Sequence, residues 1–154
     1  MTKSFTSFAL TRDDIGAVYP LVHSTVAEID LATWQNYARR LVGEPAPAAG
    51  GALGLRNAAG YICGLFAYRA DRDLRYGSVL CIDLFIALDL VSEDEATKAL
   101  LDAADAKARE LNCAATHIRV DAAQKSMADR IAAAGHQRQS SVYCKALGPM
   151  PPPT

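Results

Sequence analysis

Residues 78–111 read SVLCIDLFIALDLVSEDEATKALLDAADAKAREL, and they decide the fold. From Val79 to Ala87 the chain is apolar and rich in β-branched residues, broken only by Asp83, which predicts a buried strand. Further on, Leu100, Ala103, Ala104, Ala108 and Leu111 recur at three- and four-residue spacing, with Lys98, Asp102, Asp105 and Arg109 off that stripe. This is the pattern of a helix with one apolar face. Between strand and helix lies the short acidic segment Val91-Ser92-Glu93-Asp94-Glu95. Ser92 and Glu95 stand at capping-box spacing, and acidic residues in a first turn complement the helix dipole.

Upstream, Phe5, Phe8 and Leu10 predict a first strand. Thr11 and Asp14 form a capping-box pattern opening a helix with Ile15, Val18, Leu21, Val22 and Val26, bent at Pro20. Asp30 caps a second helix through Trp34, Tyr37, Ala38 and Leu41. The Pro- and Gly-rich stretch 43–51 is a linker too short to divide domains. Two strands follow, about 52–56 and 61–70, joined by the hairpin turn Asn57-Ala58-Ala59-Gly60, and a polar turn over 71–77 leads into the central strand.

Downstream, a strand over 115–120 must run parallel to the central one, because a helix connects them. A fourth helix over about 122–134 stops at Gly135. Ser141–Leu147 is expected to close the sheet as a last strand, whose exposed edge would admit a homodimer. The expected organisation is one domain over residues 1–148 and a flexible Pro-rich tail over 149–154.

Lys plus Arg (16) nearly balance Asp plus Glu (17), so no global field draws the chain to nucleic acid or an anionic membrane. No run of about 18 uncharged apolar residues is present to span a bilayer, and the first residues lack the apolar core of a signal peptide. A cytoplasmic protein is expected. Cys63, Cys81, Cys113 and Cys144 show no C-x-x-C spacing and read as buried thiols. Together with His23, His117 and His136 they supply no metal-ligand spacing, so neither zinc nor a disulfide is expected. His117 reads as a satisfied polar group of the core and His136 as a surface residue.

The element order is strand, two helices, antiparallel meander, helix, strand, helix, strand. With the strand end Phe85-Ile86-Ala87-Leu88 feeding a helix, it resembles the GNAT superfamily, the GCN5-related N-acetyltransferases, over about residues 5–147. The resemblance implies an α+β, three-layer α/β/α fold: a central mixed, mostly antiparallel sheet with helices on both faces. It implies acetyl-CoA as cofactor, with the pantetheine arm against the backbone of Phe85, Ile86 and Ala87. The diphosphate would lie against a loop of the form Gln/Arg, two residues, Gly, one residue, Gly/Ala. On this chain those positions fall on Val91, Asp94 and Ala96, and only Ala96 matches. A diphosphate needs unpaired N–H groups and positive potential at a helix start. Glu93, Asp94 and Glu95 oppose it, each close like-charge pair costing on the order of 1–3 kcal/mol at an effective dielectric of ~20. The loop is therefore degenerate.

The family's acid, a Tyr four residues before a Gly-Phe pair, aligns with Ile131, and its Phe with His136. The resemblance implies a general base from an acidic residue on the central strand, for which Asp83 is the candidate, with the partner of a structural Arg as its alternative; Tyr143 is the candidate replacement acid, or a residue of cross-strand packing. Trp34, Tyr37, Tyr61, Phe66 and Tyr68 are core or the wall of an acceptor groove. Two readings stay open. One is an acyl-CoA-dependent N-acyltransferase acting on a small-molecule or peptide amine, without metal. The other is a catalytically inactive GNAT-fold ligand-binding or interaction protein that does not bind CoA.

Overall fold

The computed structural model describes residues 5–42, 50–88 and 93–149. Among these, five strands form one mixed sheet in sequence order. They are β1 (Thr6–Ala9), β2 (Gly50–Arg56), β3 (Ile62–Asp73), β4 (Gly77–Ala87) and β5 (Ala115–Ile118). β1 to β4 pair antiparallel, whereas β4 and β5 are parallel, as a helical crossover requires. Four helices complete the fold: α1 (Tyr19–Thr25), α2 (Leu31–Leu41), α3 (Glu93–Glu110) and α4 (Lys125–Ala133).

The sheet divides two cores. Leu65 and Ile86 face Val18 and Val22 beside α1 and Trp34 and Ala38 of α2. Phe66, Leu80, Ile82 and Phe85 face Leu100, Leu101, Ala104 and Ala108 of α3, with Met127 and Ile131 of α4. Leu65 and Phe66 are sequence neighbours on opposite faces, the period-two consequence of a pleated strand. Helices therefore cover both faces, as expected.

Local signals act where the sequence places them. Asp30 accepts the Thr33 N–H at 2.8 Å, capping α2. The carboxylate of Asp14 takes the backbone N–H and the hydroxyl of Thr11. The Trp34 indole N–H donates to Ile15 O at 2.7 Å, so the ring is core with its polar atom satisfied. In the β2–β3 turn, Asn57 Oδ1 accepts from Ala59 and Tyr61, and Gly60 sits at φ +89°.

Four expectations are corrected. Pro20 lies in the first turn of α1, where its missing N–H has no intrahelical partner to lose, so it starts this helix instead of bending one. The segment from Thr11 begins only a 3-10 turn, Arg12–Asp14.

The closing strand over Ser141–Leu147 does not form. No residue from 136 to 149 is in helix or strand, and Val142, Tyr143 and Leu147 stand exposed. The physical reason is the route of the chain: His136 is held at Thr116 and Gln139 at Tyr76, which leads the backbone off the edge of β5. For the same reason the buried-thiol expectation fails at Cys144, which is exposed. None of the four cysteines is in a disulfide; Cys63 is buried and Cys81 and Cys113 are half-buried.

Gly54 pairs directly with Phe8, and a Cβ built on Gly54 would run into the Phe8 ring, over which the Arg56 guanidinium also stacks at 4.5 Å. Gly54→Val should displace that ring and cost about 1–3 kcal/mol. Urea denaturation measures the loss, and Phe8→Ala in the same chain should recover part of it.

Candidate functional site

β4 outruns its parallel neighbour. β5 pairs with β4 only from Val79↔Ala115 to Ile82↔Ile118, and the last bond between them is Arg119 N–H to Ile82 O at 2.9 Å. Directly after Ile82 the register between β3 and β4 shifts: Tyr68 faces Ile82 and Ala67 faces Leu84, so Asp83 is an extra, unpaired residue. An extra residue of this kind is a β-bulge, which bends the strand and raises its twist. Here it coincides with the point where β4 and β5 part.

Beyond the fork, among the described residues, β4 keeps only its β3 side. Leu88 donates to Cys63 O at 2.7 Å. Alternation along an antiparallel ladder then turns the Phe85 and Ala87 peptide groups the other way, into the gap. A cleft of about 250 Å³ lies at this end of the strand, lined among others by Phe85, Ala87, Glu93, Lys125, Met127 and Arg130. It joins free sheet backbone to the first turns of α3 and α4.

At the rim, one cation answers two of the three carboxylates. Arg130 Nε donates to Asp94 Oδ1 at 2.8 Å, and its terminal nitrogen donates to Glu93 Oε2 at 2.9 Å. The Arg130 side chain is 22% exposed against 86% for Asp94, so the guanidinium carries most of the desolvation in this pair. Thr97 turns its hydroxyl back onto Glu93 O at 2.8 Å. Ala96 is buried in the core below α3, so its methyl group faces α3's own packing. Val91 and Ser92 lie outside the described residues.

Asp83 lies at the fork itself. Its carboxylate pairs with Arg69 at 3.6 Å, both groups partly exposed, so the structural arginine the sequence allowed for is Arg69. The Tyr37 phenol shares this polar face. Burial pushes its pKa up, the Asp83 charge adds to that, and Arg69 and Arg119 oppose it. Cys81, one residue before Ile82, has its thiol pKa raised by burial, with Arg69 opposing. Tyr143 is 93% exposed on the unpaired C-terminal segment, so within one chain it packs against none of these groups.

The histidines depart from their expected places. His117 is half-buried with Nε2 unpartnered, so it is not a satisfied core group. His136 is likewise half-buried, its Nε2 3.5 Å from Thr116 Oγ1 and its Nδ1 buried without a partner. Of the proposed aromatic wall, Trp34 and Phe66 are core, Tyr37 is partly covered at 42% exposure with its ring near Trp34, and Tyr61 is exposed.

No protein-family model matches the sequence, and no curated relative does. Solved structures do. An aminoglycoside N-acetyltransferase, AAC(6')-Iy, in complex with CoA superposes with a TM-score of 0.77 over 95% of this chain and 96% of its own, at 9% identity. The fold is that of the GNAT acetyltransferases. A ribosomal-protein-alanine N-acetyltransferase from Brucella melitensis biovar Abortus gives 0.71 over 94% and 100%, at 19% identity. The aminoglycoside 6'-N-acetyltransferase AAC(6')-Ih from Acinetobacter baumannii gives 0.73 over 93% and 98%, at 12% identity. At these identities the likeness to GNAT structures establishes architecture.

Arg130, Lys125 and Arg119 are the site residues that sequence reasoning did not find. Arg130 precedes the core residue Ile131 on a short helix, and nothing in its local pattern marks it as a partner for residues 36 and 37 positions earlier. If Arg130 ties α4 to the start of α3, Arg130→Ala should lower stability by roughly 1 kcal/mol. The difference from the parent should shrink between about 0.05 and 1 M NaCl in urea titrations, as screening requires.

Proposed function

We propose that this chain is an acyl-CoA-dependent N-acyltransferase whose donor lies in the fork between β4 and β5. The observation that carries the reading is the parting of the strands after Ile82, which leaves the Phe85 and Ala87 peptide groups available to an extended amide-bearing arm. An arm paired there adds itself to the sheet as a short strand. Phe85, Ala87 and Met127 supply apolar walls for the thioester end.

The start of α3 gives the diphosphate end a weak grip. Glu93 and Asp94 oppose an anion, and Arg130 and Lys125 offset them. The loop is in this sense degenerate, and donor affinity rests mainly on the thioester arm. In the reaction, Asp83 takes a proton from the acceptor amine, directly or through water. The amine nitrogen attacks the thioester carbonyl, the C–S bond breaks, and solvent protonates the departing thiolate. Proximity supplies much of the rate, because direct transfer needs no covalent enzyme intermediate. The acceptor is a small-molecule or peptide amine. Aminoglycosides and a ribosomal protein are what the names of the structural neighbours give as theirs.

A second reading has its own observation. Two carboxylates already engage the guanidinium nearest the helix start, which is how a stable helix junction with no ligand would look. A catalytically inactive interaction module that does not bind CoA would keep that arrangement.

Calorimetry with acetyl-CoA and with S-acetylpantetheine separates the two. The acyltransferase reading expects both to bind, with acetyl-CoA less than about a hundredfold tighter; absence of heat from either at millimolar ligand would end it. Glu93→Gln with Asp94→Asn should tighten acetyl-CoA by roughly 3- to 30-fold and leave S-acetylpantetheine unchanged, since about 1.4 kcal/mol is tenfold. Asp83→Asn should lower kcat by about 10²–10⁴-fold. An unaltered kcat would relieve Asp83 of the base role.

A further inference from the structure

At the fork, one face of the sheet carries Arg69 of β3, Asp83 of β4 and Arg119, just past β5. The Arg119 N–H donates to Ile82 O at 2.9 Å, which sets Arg119 beside the bulged Asp83 on the neighbouring strand. Arg119 follows His117 by two positions and so shares its face. His117 sits opposite Cys81, and Cys81 opposite Arg69. Asp83 turns its carboxylate to Arg69 at 3.6 Å, and Arg69 holds Asp71 at 3.5 Å. Tyr37 reaches the same group from α2, where Asp83, Arg69 and Arg119 are the charges that act on its phenol.

The charges in this group do not close on one another. One guanidinium, that of Arg69, serves two carboxylates. Arg119 is exposed, and among the described residues no carboxylate pairs with it. Asp83 is 34% exposed and its contact with Arg69 is long, so it keeps acceptor capacity for an incoming N–H. Neighbouring strands run about 4.8 Å apart, so an anion on Arg119 and a cation on Asp83 fit within one small molecule. Burial pushes the Tyr37 pKa up, so the phenol keeps its O–H as a further donor on the same face.

We infer that the acceptor of the proposed acyl transfer is an α-amino acid, its carboxylate on Arg119 and its amino group on Asp83, an assignment that rests on the acyltransferase reading. A planar guanidinium takes a carboxylate through two parallel N–H···O bonds, which fix orientation as well as position. Held so, the α-nitrogen lies between Asp83 and the gap that takes the thioester end. The ammonium gives one proton to Asp83, and the neutral nitrogen forms the N–C bond as the C–S bond breaks. A second proton passes from nitrogen to the departing thiolate through solvent, so the products are an N-acylamino acid and a thiol. The carboxylate is unchanged throughout, and Arg119 binds without taking part in proton transfer.

Thiol release from acetyl-CoA, measured with each of the standard amino acids and with its amide, tests the assignment. The preferred amino acid should exceed its amide at least about 50-fold in kcat/KM, because the amide leaves the guanidinium unanswered. In Arg119→Gln that ratio should fall below about 3, with an unchanged thermal midpoint. Arg119→Lys keeps the charge but loses the fork, and its ratio should lie between the two. Equal rates for acid and amide, no turnover with any amino acid, or a ratio untouched by Arg119→Gln would overturn the assignment while acetyl-CoA still binds. If neither acetyl-CoA nor S-acetylpantetheine gives heat, the donor reading has failed by itself. Calorimetry of the amino acids and their amides on the parent chain then decides the carboxylate site. Binding of an acid but not its amide, lost in Arg119→Gln, supports that site, and absence of binding overturns it.

Discussion

The structure turns on one surplus residue in β4. Without Asp83 as a bulge, the face carrying Leu80 and Ile82 would continue through Leu84 and Ile86. With it, that face continues through Phe85 and Ala87, while Leu84 and Ile86 turn to α1 and α2. A shift of one position exchanges every later side chain between faces. The same residue thus sets which core each half of the strand joins, and it stands where β5 lets go, placing a carboxylate at the fork.

That constraint explains why the site is half backbone and half side chain. Peptide groups left open by the fork cannot be supplied by any particular residue type, so a ligand arm that pairs with them reads the sheet's geometry. The charged rim is separate. It is built where the first turn of α3 meets α4, and it depends on Arg130 bridging two carboxylates of another helix. Each part can therefore change without the other.

Much of the fold was legible because the signals that make it are local. The Asp30 cap, the Asn57–Gly60 turn, the Ala-rich stripe of α3 and the stop at Gly135 each depend on residues within a few positions. The bulge was not legible. In a strand apolar on both faces, no alternation shows where the phase slips, and Asp83 reads equally as a site carboxylate or a paired charge. Arg130 was hidden for a different reason: the packing that brings α4 to the start of α3 lies outside any local window. The last strand does not form despite its composition. Val142 to Leu147 look like a strand, but a strand needs an edge within reach, and the route through Thr116 and Tyr76 takes that edge away.

The charge at the helix start also asks for less than a simple sum of like charges implies. Three carboxylates before an anion would repel it strongly if each stood alone. Arg130 pairs with two of them and its single charge offsets one, so an arriving phosphate meets a partly compensated cluster. The compensation has a limit. To bind phosphate, the guanidinium must give up contacts of 2.8 and 2.9 Å with Asp94 and Glu93, exchanging one set of charge-assisted hydrogen bonds for another. Such an exchange yields little net affinity, because what is gained on the ligand is lost on the protein. A donor held here would then draw on the backbone groups of Phe85 and Ala87 at the fork, which pair with no strand among the described residues.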